Sequence, residues 1–460
     1  MLQLFSEKCS LLSIAIKRYA KLTDTELHLG IYMLMQFPVV LSLRFLPPRW
    51  RKLINSFVGL ISIITFVPNV TLLLHIMALV CFNWFLLHQL EGEENSGGTK
   101  GRHHRTYRRN ILICVIAGSI VHYNLVFLWI KHFEMQFIVS IKYLLVSMML
   151  TQRIVHISTN IAGTAFDGIS NQSYPTKFSN YLHYITGNLS FFSGPLLDYG
   201  NFEMIMTKDQ QDFYIGEQQC SKIKFYFRNL IIALALQWIF AILLTDFNHY
   251  LDHFGKLTHI SYSLLFVFRV LMAQSFSLIC MLSLGYKQEW YTKRNDKFKF
   301  NFYSIAGVIN PGDFQQIMKF WNRSNVVWLN HSLRSVVYEK TYTKFIILTV
   351  SFCWHGITLN NVYSLCLIFQ IFYISYILPP TIPKIPALKK IDDYRKKNEV
   401  LFQTIELSKF LIFTLVISSC ITFSGLSQDH EMIIRRELKE MISFFFPVIV
   451  VIHLMNYIVK

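Results

Sequence analysis

Long apolar runs, separated by short polar or proline-bearing stretches, dominate this chain. A helix that crosses a bilayer needs about 20 predominantly apolar residues. On that criterion the candidate spans are 28–46, 53–67, 70–90, 111–130, 134–152, 229–246, 259–285, 344–360, 361–379, 405–425 and 443–459. Pro47-Pro48 and Pro68 break the early runs and Pro379-Pro380 ends a later one, because proline cannot continue a helix. Several runs are short or polar, so the pattern predicts roughly 9 to 11 spans, with re-entrant or interfacial pieces among them. The expected fold is all-α: a polytopic transmembrane helical bundle in which residues 1–460 form a single multi-pass membrane domain.

Two polar regions interrupt the pattern. Residues 91–110 combine Gly, Glu and a basic run, and read as a flexible exposed loop. Residues 286–343 mix aromatic, basic and amide side chains without a spanning segment, and read as polar and interfacial. Within them Pro311-Gly312-Asp313 precedes a short amphipathic stretch suited to a membrane surface. No internal repeat supports a transporter built from duplicated halves. Glu7, Lys17 and Lys21 interrupt the N-terminus, which lacks the tripartite form of a cleaved signal peptide.

Composition agrees with a lipid-facing surface. Only 15% of residues are charged and 53% are hydrophobic, against about 25% charged in soluble domains. A formal net charge of +17 would suggest nucleic acid in a soluble protein. Here the basic clusters (Lys100–Arg109, Lys287–Lys299, Lys384–Lys397) fall between apolar runs, as cytoplasmic loops do under the positive-inside rule. Nucleic acid is therefore not an expected partner; anionic headgroups or a polyphosphate cofactor are the second reading of these clusters. The eight cysteines form no CxxC pair and no metal-ligand spacing, so neither a disulfide framework nor a metal site is expected.

The chemistry concentrates in two segments. His355 sits in Ser351-Phe-Cys-Trp-His-Gly356, inside an apolar run, where an ionisable residue is costly and functional by default. Histidine also exchanges protons near neutral pH. A histidine that only donates a hydrogen bond within a helix bundle is the competing account, but His75, His88, His122 and His156 lack the flanking Trp354 and Gly356. Upstream, Asn322 lies in Trp321-Asn322-Arg323-Ser324-Asn-Val-Val-Trp328-Leu329. An amide beside a base can hold a hydroxyl or polarise a carbonyl oxygen. Asn322-Arg-Ser also matches a glycosylation sequon, as do Asn69-Val-Thr, Asn171-Gln-Ser and Asn188-Leu-Ser. The chain has no Gly-x-Ser-x-Gly elbow and no His-Glu-x-x-His, and His249-Tyr-Leu-Asp252 has the wrong spacing for the His-x-x-x-x-Asp acyltransferases.

Trp321-Asn322-x-Ser324-x-x-x-Trp328-Leu329 followed by Ser351-x-x-Trp354-His355-Gly356 resembles the signature of the membrane-bound O-acyltransferase (MBOAT) family. Met149-Leu-Thr-Gln-Arg153, Asp167-Gly168, Tyr181-Leu-x-Tyr184 and Ser193-Gly-Pro-Leu-Leu-Asp198-Tyr199 with Phe202 are similar to its lysophospholipid branch. The resemblance covers residues 140–378 or so. Two positions depart from it: Ile357-Thr-Leu-Asn-Asn-Val-Tyr363 lacks the branch's second glycine, and Arg153 replaces the commoner lysine.

The resemblance implies a central tunnel within the bundle, an endoplasmic reticulum membrane location, and Asn322 with His355 as the catalytic pair. It implies acyl-CoA as co-substrate, with no bound cofactor and no metal, and a lysophospholipid as the acceptor whose free glycerol hydroxyl is re-acylated. Trp321, Trp328, Trp354, Ser351, Asp198 and Tyr199 would line the substrates, and Arg323 and Arg334, with Lys287–Lys299, would meet the CoA phosphates. Membrane lipids are the remaining partners, and a homo-oligomer is left open. The first alternative is a family member that acylates a peptide serine, of the ghrelin- or Wnt-acylating type; the Gly-Pro-Leu-Leu-Asp-Tyr segment favours the lipid branch. The second is a non-enzymatic membrane transporter.

Overall fold

The computed structural model describes residues 30–31, 34–92, 102–133, 137–167, 175–189, 196–207, 216–246, 255–285, 328–329, 332–333, 340–357, 362–363, 365–370 and scattered positions between 389 and 450. Among these the protein is helical and no strand occurs. The principal helices are α1 (Gln36–Phe45), α2 (Pro48–Phe66), α3 (Val70–Gly92), α4 (Arg102–Phe133), α5 (Phe137–Asp167), α6 (Phe178–Thr186), α7 (Tyr199–Thr207), α8 (Glu217–Asp246), α9 (Gly255–Ser283) and α10 (Lys340–Trp354). Val70–Gln89 and Thr106–Ile130 are long and apolar enough to cross a membrane.

Several boundaries follow from local chemistry. Pro48 opens α2 at its first position, where the missing N–H has no helical partner to lose. Asn69 caps α3, its side-chain oxygen accepting from the Leu72 amide at 3.1 Å. Other boundaries differ from expectation. The stretch 91–110 is helical at both ends, since α3 runs to Gly92 and α4 begins at Arg102. Helix α5 runs fifteen residues beyond the predicted span end at 152, to Asp167. Its last turns are polar, but Ser158 and Thr159 return their hydroxyls to the Ile154 and Val155 carbonyls at 2.8 Å, so the helix buries them without orphaned groups.

The chain divides into two compact units, one comprising 1–235, 270–300 and 324–356, the other 236–269, 301–323 and 357–460. In the first, α4 packs along α5, which also meets α3 and α6, while α2 packs on α6 and α7. Gly59 of α2 allows the closest of these approaches, because a Cβ there would lie 1.8 Å from the Thr186 carbonyl oxygen. Asn55, one turn earlier, accepts the Asn188 amide on its carbonyl and the Leu189 amide on its side chain, both at 3.0 Å. Asn188, a sequon match, is wholly buried by this contact.

Polarity in this unit runs inside out. Phe57 on α2, Leu74 and Phe85 on α3, and Leu125 on α4 are about three-fifths exposed. Asn83 and Ser119, by contrast, are buried and bonded to each other across α3 and α4 at 3.1 Å.

Candidate active site

The apolar run 344–360 predicts an unbroken helix through His355. Helix α10 instead stops at Trp354, and His355 occupies the turn that follows. One cause is local: Gly356 adopts φ +100°, a conformation in which a side chain would be strained. Its lack of a Cβ also leaves room for Leu144 of α5, which a Cβ would meet at 2.8 Å. A further cause lies on α4. A helix end leaves its last carbonyls without helical partners, and burial makes such orphans costly. Asn124 donates to the Cys353 carbonyl at 2.9 Å and Tyr123 donates to the Trp354 carbonyl at 2.7 Å. The helix can therefore end inside the protein.

The same turn is fixed against α5. The Trp354 indole N–H donates to the Met148 carbonyl at 3.0 Å, and the ring is 1% exposed. Trp328, also buried, packs against Trp354 with ring centroids 5.4 Å apart and planes tilted by 52°, and the His355 ring lies 4.8 Å from that of Trp354. The His355 amide bonds back to the Ser351 and Phe352 carbonyls, which ties the imidazole to the last turn of α10. His355 remains partly exposed at this break. The imidazole is thus held on a capped helix end, between the Trp354 indole and Gly356.

Of the residues singled out in the sequence, Trp328, Ser351, Trp354 and His355 belong to this one constellation. Trp321, Asn322, Arg323 and Arg334, with the basic segment 287–299, lie outside the described residues. Asp198 and Tyr199 belong to a second knot at the start of α7. His156 Nε2 lies 3.2 Å from the Asp198 carboxylate, Asn160 donates to the same oxygen at 3.3 Å, and the Asn201 amide reaches the other oxygen. Burial pushes the Asp198 carboxyl up, but the His156 bond and charge, with the backbone amides of Asn201 and Gly200, outweigh it and hold the group below its ordinary value. Tyr199 packs on Tyr184 and Phe202 at 5.6 and 6.3 Å.

Arg153 binds this knot to α6. Its guanidinium donates to the carbonyls of Tyr184, Ile185, Gly187 and Leu189 at 2.6–3.2 Å, covering the carboxyl end of α6. Sequence reasoning named Arg153 only as a departure from lysine, and it missed Tyr123 and Asn124. The polar run His122-Tyr123-Asn124 inside the apolar stretch 111–130 was their sequence signal.

Among the described residues no group of three or more His, Cys, Asp or Glu side chains is placed to hold a metal ion. No family model matches the chain, and no curated protein matches it at a significant level.

Proposed function

We propose that the protein is an acyl-CoA-dependent O-acyltransferase that re-acylates lysophospholipids, working as a multi-pass protein of the endoplasmic reticulum membrane. The observation that carries this is the placement of His355: an imidazole at a capped helix break, set between Trp354 and Gly356 within an apolar run. The outward apolar faces of α2, α3 and α4 support the membrane setting, since their exposed side chains need a lipid partner.

In this mechanism His355 takes the proton of the free glycerol hydroxyl as its oxygen forms a bond to the thioester carbonyl carbon. The carbon–sulfur bond then breaks and the CoA thiolate recovers the proton from the imidazolium. General base catalysis of this kind contributes about 10²–10⁴-fold. Asn322 holds the hydroxyl or the developing oxyanion. Trp328 and Trp354 wall the site against water, which limits hydrolysis of the donor. The thioester is already activated, so the step needs no metal ion. Donor and acceptor both carry long chains, and a central tunnel would read chain length at about 0.8 kcal/mol per buried CH₂.

The test uses membranes containing the protein, labelled acyl-CoA, a panel of lysophospholipids and a His355→Ala variant. The expected result is acyl transfer to lipid that falls by at least about 10²-fold in the variant. Absence of His355-dependent transfer to any lipid overturns the proposal. Transfer to a peptide serine instead would assign the peptide-acylating alternative.

A further inference from the structure

Three helices of the first unit fix the depth of His355. Tyr123 and Asn124 of α4 donate to the Trp354 and Cys353 carbonyls at 2.7 and 2.9 Å, so the turn that carries His355 lies at their level. The membrane-length part of α4 runs from Thr106 to Ile130. At 1.5 Å per residue, Tyr123 is about 26 Å from its first residue and about 10 Å from its last. Helix α5 agrees. Leu144 abuts Gly356 and the Met148 carbonyl accepts the Trp354 indole, and these residues lie about 10 and 16 Å from the start of α5 at Phe137. Helix α2 gives the third tie. The Lys142 ammonium, two residues before Leu144, sits over Phe66, 5.5 Å from the ring centroid, and Phe66 is the last residue of α2. His355 is therefore off centre, close to the end of this unit where α2 and α4 finish and α5 begins.

Charge identifies that end. Arg49, Arg51 and Lys52 open α2, and Arg102, Arg105, Arg108 and Arg109 open α4, all at the opposite end. Near His355 the corresponding residues are Lys131 and Lys142, with Glu134 between them in sequence. Seven cations against two assign the far end to the cytosol and the His355 end to the lumen. Two further imidazoles share this depth. His75, five residues into α3, packs its ring 5.6 Å from that of His122, beside Tyr123, and both are half-buried. An ionisable group costs less close to the interface than at the centre of the hydrocarbon.

Depth selects the source of the acceptor. The free hydroxyl of a lysophospholipid starts at headgroup level, outside a hydrocarbon core of about 30 Å. From the near leaflet it moves inward about 10 Å to reach the partly exposed His355. From the far leaflet it moves about 26 Å and draws a polar headgroup through most of the core. The donor has the opposite preference, because its phosphates are attracted to the basic far end. We infer that donor and acceptor enter from opposite faces: acyl-CoA from the cytosol, and a lysophospholipid from the lumenal leaflet. This rests on the acyltransferase reading and adds to it the leaflet that supplies the acceptor.

The experiment uses the purified protein in sealed phosphatidylcholine vesicles, with oleoyl-CoA added outside so that only molecules with their basic end outward receive donor. Labelled lysophospholipid, the best of the panel, is either added to the outer leaflet alone or incorporated in both leaflets and then stripped from the outer one with albumin. The inner-leaflet pool should be acylated at least about tenfold faster than the outer-leaflet pool, and detergent should erase the difference. His355→Ala should acylate neither pool. Equal use of the two pools, preference for the outer one, or transfer that begins only after detergent is added overturns this assignment while leaving the acyltransferase intact. A wild type that transfers no acyl group even in detergent overturns both.

Discussion

Arg153 donates from both terminal nitrogens to four backbone carbonyls at the end of α6, and no lysine can reproduce that fork. A buried cation whose acceptors are backbone oxygens is fixed by geometry as much as by charge. Arg153→Lys should lower stability by about 2–4 kcal/mol, because at least one charge-assisted bond is lost and a buried carbonyl is orphaned. Chemical denaturation in micelles reads this directly. His183 gives a second residue-scale prediction. Ser56 contacts its Nδ1 at 2.8 Å; burial and the Lys52 charge hold its pKa below the ordinary 6.5, against the opposing pull of Glu203. Between that lowered value and 6.5 the unfolded chain binds a proton that the folded chain does not. The stability contributed by neutral His183 is therefore present above pH 6.5 and lost as pH falls through the folded pKa. A melting series from neutral to acidic pH should show this loss in wild type and a flatter slope in His183→Gln; equal slopes would refute it.

At the scale of elements, the end of α10 is the decisive feature, and its cap comes from another helix. Asn124→Leu removes the donor to the Cys353 carbonyl and should cost about 1–3 kcal/mol of stability. It should also reduce turnover more than Ser158→Ala, which breaks only a bond within α5. Gly356→Ala should be at least as damaging, since it strains φ and meets Leu144. Here the limits of the sequence have a physical origin. Helices α2 and α3 were legible because Pro47-Pro48 and Pro68 mark their boundaries within the segment itself. His355 stood out because an ionisable group among apolar residues is conspicuous. The stop at Trp354 was not legible, because its partners Tyr123 and Asn124 lie about 230 positions away. Nor was the extension of α5, whose polar turns are satisfied by Asp198 and by its own carbonyls. Apolar patterning shows where a helix is affordable in lipid; where it ends inside a protein depends on contacts the pattern does not contain.

For the molecule as a whole, the distribution of charge along α2, α3 and α4 sets a topology that can be measured. Helix α2 has 19 residues and α3 has 23, so at 1.5 Å per residue they are about 28 and 35 Å long, comparable with a hydrocarbon core of about 30 Å. Only Val67, Pro68 and Asn69 join them, so if both cross, they cross in opposite directions. Arg44 in the last turn of α1 and Arg49, Arg51 and Lys52 at the start of α2 form one basic cluster, and Lys100, Arg102, Arg105, Arg108 and Arg109 lie where α3 gives way to α4. Two crossings bring both basic clusters to one side, which the positive-inside rule assigns to the cytosol, and leave Asn69 on the other. With exposed native cysteines replaced, Ser96→Cys in sealed microsomes should react with a membrane-impermeant thiol reagent, whereas Asn69→Cys should react only after permeabilisation. Equal labelling of both in sealed vesicles would mean that α3 does not cross. That outcome would also remove the bilayer from the account of why α3 presents Leu74 and Phe85 outward.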